Sequence, residues 1–279
     1  MRRCIGALQV ALAVALIALA CLALAATAAA GGIQIATEPQ VIRKTILPGE
    51  RTSFDMEVRN TGSVAVEVVP EVVDLAVDEA GYNVEVSPGS GYRWGVREIA
   101  SISPKKLTLR PGEAKKVKVS LAAPKSLSGG RYGILFFAAS DPTATGQIRM
   151  VVRCGSLLFL TVPRTETYSG QIREVRVVPA SDTGGVLGTF EAVFANEGNV
   201  HFTAIGRLGL FKAGKVVADL LLEGGTGTIL PGGARRYRAV LPADIPDGEY
   251  RATVAFTFEG RTARLEKTLV VADRKAILR

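Results

Sequence analysis

The sequence predicts an all-β protein, two tandem β-sandwiches behind an N-terminal export signal. Three observations carry this. Short runs rich in Val, Thr, Phe and Tyr alternate apolar with polar residues, the period-two pattern of half-buried strands. Gly and Pro punctuate those runs at turn spacing, and no stretch of the body sustains a helical apolar period with caps. The pattern is also written twice, which means two units of one kind rather than one large one.

The first thirty of the 279 residues stand apart. Arg2 and Arg3 precede an apolar run from Ile5 to Ala26, interrupted by Gln9, and the small residues "AATAAAGG" follow. That order is a secretory signal peptide, assigned to residues 1–30, with cleavage near Ala28 to Ala30. Left uncleaved, the run is long enough to act as a membrane anchor, and Cys21 in "ALAC" gives lipidation as a further alternative. Removing Arg2 and Arg3 takes the formal net charge from +8 to +6, a basic but not extreme body. Cys154 is the one cysteine left after cleavage, so there is no disulfide framework and stability must come from burial. Cys154 itself reads as a small buried hydrophobe.

In chain order, "IQI" and "QVIRK" open the first unit, and Leu47-Pro48-Gly49-Glu50 makes a type II turn, with Pro fixing φ and Gly taking the positive φ. Phe54, Met56 and Val58 then share one face of a strand, with Asp55, Glu57 and Arg59 on the other. Asn60-Thr61-Gly62 reverses the chain, read as residues that tolerate the left-handed region, and Val64, Val66 and Val68 resume the buried face. A less regular middle holds Tyr82, Tyr92 and Trp94. Then come "KKLTLRPGEAKKVKVSL", the apolar "SGGRYGILFFAAS" and the long "GQIRMVVRCGSLLFLTVP". The second unit repeats this grammar. "FEAVFANEGNVHFTA" answers "FDMEVRNTGSVAVEV", Pro231-Gly232 answers Pro111-Gly112, and Gly248-Glu249-Tyr250 answers Gly130-Arg131-Tyr132. "VVADLLLEGG" reads as a strand with a Gly-rich exit. The expected boundaries are residues 31–165 for the first sandwich, 170–272 for the second and 273–279 for a basic tail, with a hinge at Pro163 to Gln171.

The Pro-Gly turn before a basic strand, followed by the G-x-Y and apolar strand, resembles immunoglobulin-like sandwiches of bacterial envelope proteins. In particular, "LTLRPGEAKKVKVSLAAPKSLSGGRYGILFF" with "GQIRMVVRCGSLLFLTVP" resembles the final strands of the first domain in periplasmic pilus chaperones, which are two immunoglobulin-like domains in tandem. A second resemblance is to Gram-positive surface proteins that interact with WxL proteins, through tandem sandwiches and the Gly129-Gly130 pair before an apolar strand. Pilus chaperones hold a subunit's C-terminal carboxylate with an Arg and a Lys. Leu158 stands roughly at the lysine's place, and no arginine of "ATEPQVIRKT" is matched to the other anchor, so neither role is carried over. The WxL group's C-terminal spanning helix has no counterpart after Val271, where the chain runs "ADRKAILR".

Few residues suggest chemistry. The single histidine, His201, lies opposite Val200 and Phe202 and is expected to face solvent, and one His with one mature Cys makes a zinc site poor. There is no G-x-S-x-G elbow, and "GSGYRWG" opens no helix that would make it a phosphate loop. Asp74, Asp78 and Glu79 match no calcium-loop spacing. Lys116 with Lys118, and Arg236 with Arg238, read as a solvated face or an edge protected by charge, with a patch for acidic cell-wall polymer or phospholipid headgroups as the functional alternative. Two sets remain as candidate partner-binding residues. Tyr82, Tyr92 and Trp94 lie in the middle segment that the second unit lacks. Ile148, Met150, Val152, Leu158 and Leu160 share one face of a strand that could add to a partner's sheet.

The reading is therefore a non-enzymatic exported protein of the periplasm or cell surface, with no cofactor, metal or nucleic-acid partner, touching membrane only through the N-terminal segment if uncleaved. Its partners are envelope or surface-structure protein subunits, as a pilus-chaperone-like assembly factor. The alternative is a surface adhesin or cell-wall-binding protein.

Overall fold

The computed structural model describes residues 32–145, 150–180, 185–225 and 227–279; the signal segment, Cys21 and Ile148 lie outside them. The described residues form two β-sandwiches and no helix. In the first, β1 (Ile35–Glu38), β2 (Val41–Thr45), β3 (Arg51–Asn60), β4 (Val66–Val77), β5 (Asn83–Val86), β6 (Ala100–Ser103), β7 (Leu107–Leu109), β8 (Ala114–Ala122), β9 (Gly130–Ser140) and β10 (Val151–Thr161) follow one another. They make one sheet in the order β1-β3-β8-β6 and another in the order β2-β10-β9-β4-β5, with β7 also on β4. The opening segment thus crosses between sheets. β1 pairs with β3, the chain breaks at Pro39, which has no N–H to offer a ladder, and β2 runs parallel to β10.

The second sandwich holds β11 (Gly170–Pro179), β12 (Val186–Asn196), β13 (Ile205–Lys212), β14 (Lys215–Leu222), β15 (Ala234–Pro242), β16 (Gly248–Phe258), β17 (Arg261–Ala272) and β18 (Lys275–Leu278). Its sheets are β11-β12-β15 and β14-β13-β16-β17-β18. The residues expected as a basic tail instead turn at Asp273-Arg274, both at positive φ, and pair back on β17 as an edge strand that buries Ala276. Positive φ at both central residues gives the twist a tight hairpin needs, and Ala213-Gly214 and Glu259-Gly260 use it too.

Alternation became burial as expected. Met56, Val58, Val66, Val68, Val117 and Val119 meet inside the first sandwich. Phe190, Phe194, Phe202, Phe256 and Phe258 fill the second, with Phe194 stacked on Phe256 at 4.4 Å. Each such side chain removed from water contributes about 2 kcal/mol. The Pro-Gly turns also hold. Gly49, Gly112 and Gly232 have φ of 79°, 76° and 76°. In the first two, Glu50 and Glu113 add a carboxylate that accepts the Leu47 and Arg110 N–H groups at 2.7 Å.

The Asn-x-Gly reversals work differently from the expectation. None of Asn60, Gly62, Asn196 or Gly198 occupies the left-handed region. Asn60 and Asn196 are instead fully buried for their amides. Nδ2 of Asn196 donates to Val200 O at 2.8 Å and Ile229 O at 2.9 Å, and Oδ1 accepts the Gly198 N–H at 2.9 Å. Asn60 repeats this on Val64 O, Leu109 O and Gly62 N at 2.8, 3.0 and 2.9 Å. The main chain of each Asn is also tied to the Pro-Gly turn, through Gly112 and Glu113 in one copy and Gly232 and Gly233 in the other. The glycines are there for close approach, since a Cβ on Gly62 would lie 2.2 Å from Gly32 O and one on Gly198 2.1 Å from Thr167 O.

Substituting either amide tests this staple. Asn196→Asp keeps the shape but cannot donate, taking a donor from both carbonyls and leaving Ile229 O only the Phe202 N–H at 3.3 Å, and Asn196→Ala removes all three bonds. Both are expected to lose about 3 kcal/mol in urea denaturation. An Asn196→Asp variant as stable as the parent would show that the amide is dispensable.

Candidate functional site

The strand expected to offer a binding edge is β10, and its two halves differ. From Leu157 to Thr161 it lies between β9 and β2, with Leu158 and Leu160 fully buried. Those two are core and are not available to a partner, because β2 and the facing sheet cover them. From Val151 to Ser156 only β9 pairs with it among the described residues. β1 reaches this half through side chains alone. Thr37 Oγ1 lies 3.0 Å from Ser156 Oγ and 3.5 Å from Cys154 Sγ. Cys154 is therefore half-buried at a seam between the sheets rather than in the core. Val152 is half-buried beside it, while Met150 and Val151 are 64% and 53% exposed. Arg153 lies on the other face, with its guanidinium 3.9 Å from the Phe136 ring centroid and paired to Glu85 at 2.9 Å.

The aromatic set divides as well. Tyr82 is 72% exposed at the β4–β5 turn, where Asp78 Oδ1 accepts the Gly81 and Tyr82 N–H groups at 2.8 Å. Tyr92 is half-buried, donates its hydroxyl to Leu75 O at 3.0 Å, and is pushed up to about 12 by burial and then by the Asp74 charge. Trp94 is buried with Leu75, Tyr132, Ile134, Phe159 and Leu230. Leu230 belongs to the second sandwich, so this small apolar cluster joins the two.

Around that cluster the joint is closed by polar contacts. Asn199 O accepts Gly130 N–H at 2.7 Å, and the Asn199 side chain bridges Thr165 O and Thr167 N at 2.7 and 2.6 Å. Thr165 Oγ1 accepts Gly129 N–H at 2.8 Å. Arg236 donates its backbone N–H to Glu79 O at 2.8 Å and its guanidinium to the Glu79 carboxylate at 2.6 Å. Pro163 to Gln171, read as a hinge, is thus pinned on several sides.

His201 is the residue that pattern reasoning placed wrongly. It is half-buried in the joint, edge-on to Tyr132 and Phe159 at 5.4 and 5.3 Å. The Tyr132 hydroxyl accepts the His201 backbone N–H at 2.8 Å and sits 3.1 Å from Nδ1. Burial, and then the Arg43 charge, hold the imidazole below its ordinary 6.5. Arg43 itself lies 5.3 Å from the Phe159 ring centroid.

The basic face of β15, with Arg236 and Arg238, is less free than expected, while Lys116 and Lys118 are exposed as expected. Glu191 is nearly buried and receives Arg176 at 2.7 Å, Arg238 at 2.7 Å and Arg236 at 3.3 Å. Burial would raise its carboxyl, but hydrogen bonds from Arg238 and Arg176 outweigh this and hold it low. Among the described residues no His, Cys, Asp or Glu group is placed to hold a metal ion, and no helix is long and apolar enough to cross a membrane.

No protein-family model matches the chain, and no curated protein matches it significantly. Among solved structures it is similar to the class 5 fimbriae chaperone CfaA, at 12% identity and TM-score 0.47, over 84% of this chain and 98% of that one. It is also similar to a chain of the chaperone–tip adhesin complex of CFA/I fimbriae, at 13% identity and TM-score 0.46, over 84% and 98%. A chain of the Salmonella enterica SafA pilin–SafB chaperone complex is similar at 11% identity and TM-score 0.42, over 87% and 99%.

The joint should respond to pH with a definite sign. The folded imidazole is held neutral, so proton uptake favours the opened state. Stability is full above 6.5, falls as pH drops below it, and levels off beneath the lowered folded value. Thermal melts between pH 7.5 and 4.5 should show this fall, and His201→Gln should flatten that part of the profile. An identical profile in the variant would remove His201 from the joint's energetics.

Proposed function

We propose that this chain is an exported, non-enzymatic assembly factor of the cell envelope that holds surface-structure subunits by strand addition, in the manner of a periplasmic pilus chaperone. The observation that carries it is the open half of β10. An extended backbone edge with unused hydrogen-bonding groups is a template for another strand. Here Met150 and Val152 lie on the side chain face that leads into the core, at a seam that β1 reaches through Thr37 rather than by backbone pairing. An added strand would find main-chain partners along Val151–Ser156 and apolar contact at that seam. Export and periplasmic residence are supported by the signal-like first thirty residues. Of the residues expected from sequence to bind, Met150 and Val152 keep that role in this reading. Trp94, Leu158 and Leu160 hold the frame, and Tyr82 stands exposed at a separate turn.

Crosslinked envelope pull-downs test this. Met150→Asp and Val152→Asp should leave the thermal melt near that of the parent and weaken subunit capture at least about tenfold, the effect of about 1.4 kcal/mol. Met150→Leu should retain it. Recovery of no subunit with the parent chain would sink the mechanism.

A further inference from the structure

A separate pocket of about 530 Å³ opens in the first sandwich, between the segment Ser87–Ile99 and the stretch Pro124–Arg131. It shares no lining residue with the β10 edge. Three arginines line it: Arg93, Arg97 and Arg131. Their arrangement is electrostatically unfinished. The Arg93 and Arg131 guanidinium carbons lie 4.2 and 5.7 Å from the centroid of one ring, that of Trp94. The indole attracts both, but each cation repels the other. Burial, and then the Arg93 charge, lower the Arg131 guanidinium from its ordinary value, as such crowding demands.

The internal partners of these cations are few. Arg131 uses Nη1 on the carbonyls of Ser128 and Gly130, at 3.0 and 2.7 Å. Neither Arg93 nor Arg131 forms an ion pair among the described residues. Arg97 Nε is buried with no hydrogen-bond partner. Its nearest carboxylate oxygen, Asp74 Oδ2, is 4.0 Å away, and Asp74 Oδ1 already accepts the Arg97 backbone N–H at 2.8 Å. Glu98, exposed, is the other acid lining the pocket.

We propose that this pocket binds a compact oxyanion, a phosphate or a carboxylate group, between the guanidiniums of Arg93, Arg97 and Arg131. Planar forked donors match such an anion in pairs of parallel hydrogen bonds. The bound charge offsets the Arg93–Arg131 repulsion and gives the Arg97 side an acceptor. Glu98 works against it, which sets the sign of one variant. The proposal is independent of strand addition, so either can fail alone.

Trp94 is the chain's single tryptophan, and its ring lies under the Arg93 and Arg131 guanidiniums that line the pocket, so its fluorescence reports on those cations. The parent protein is titrated with inorganic phosphate and, separately, with succinate at constant ionic strength, with calorimetry as a second readout. A saturable signal is expected, and the tighter of the two anions identifies the source. Arg93→Gln and Arg131→Gln should each weaken binding about tenfold. Arg131→Lys should fall between, because it keeps the charge and loses the fork, and Glu98→Gln should tighten binding. No saturable signal with either anion would overturn the proposal. So would binding unchanged in Arg93→Gln, whose exposed side chain can be replaced without disturbing the core.

Discussion

Each sandwich depends on one buried amide. Asn60 and Asn196 sit where a strand ends and the chain must reverse inside apolar surroundings, and a reversal there leaves loop carbonyls such as Val64 O and Val200 O in need of donors. The amide offers two donors and an acceptor from one short side chain, so it joins the loop ahead, the strand before the Pro-Gly turn and its own glycine. Neither a hydroxyl nor a carboxylate has that valence. Once the amide is satisfied, the reversal and the Pro-Gly turn become one unit, and the strands leaving both are set in register.

In the second copy the same reversal also reaches outward. Gly198 lets the loop press on Thr167, and the next residues, Asn199 and His201, contact the first sandwich. In the first copy the matching loop presses on Gly32 and Gln34 of its own opening segment. One local device therefore tucks in the entering chain in one place and clasps two sandwiches in the other. The clasp surrounds a small apolar cluster of Trp94, Tyr132, Phe159 and Leu230, so water is kept from the polar bonds that would otherwise compete with it.

The sequence was legible wherever a single strand decides the outcome. Alternation named Met56 and Val58 as core, and the Pro-Gly pairs named their positive-φ glycines, because both follow from local backbone geometry. His201 was misplaced because parity along a chain tells which side a residue faces, not whether another sandwich covers that side. The arginine pocket drew on residues almost forty positions apart, and no spacing rule links Arg93 to Arg131. Of the candidate edge, the strand and its apolar face were readable. The division into a covered half and an open half was not, since it depends on where β2 stops.

That division matters for what the strand can do. β9 pairs with β10 along all 11 of its residues, so the open half is held extended by the same ladder as the buried half. Phe159 anchors the covered half in the joint. Most of the ordering entropy of an edge strand has thus been met by folding, and a segment added there would lose only its own freedom. A loose joint would let the covered half drift and would return some of that cost to the binding step. Under the proposed strand addition, the clasp at Asn199 and His201 and the open edge at Val151–Ser156 would act as parts of one device, because a template is useful only if it is rigid before its partner arrives.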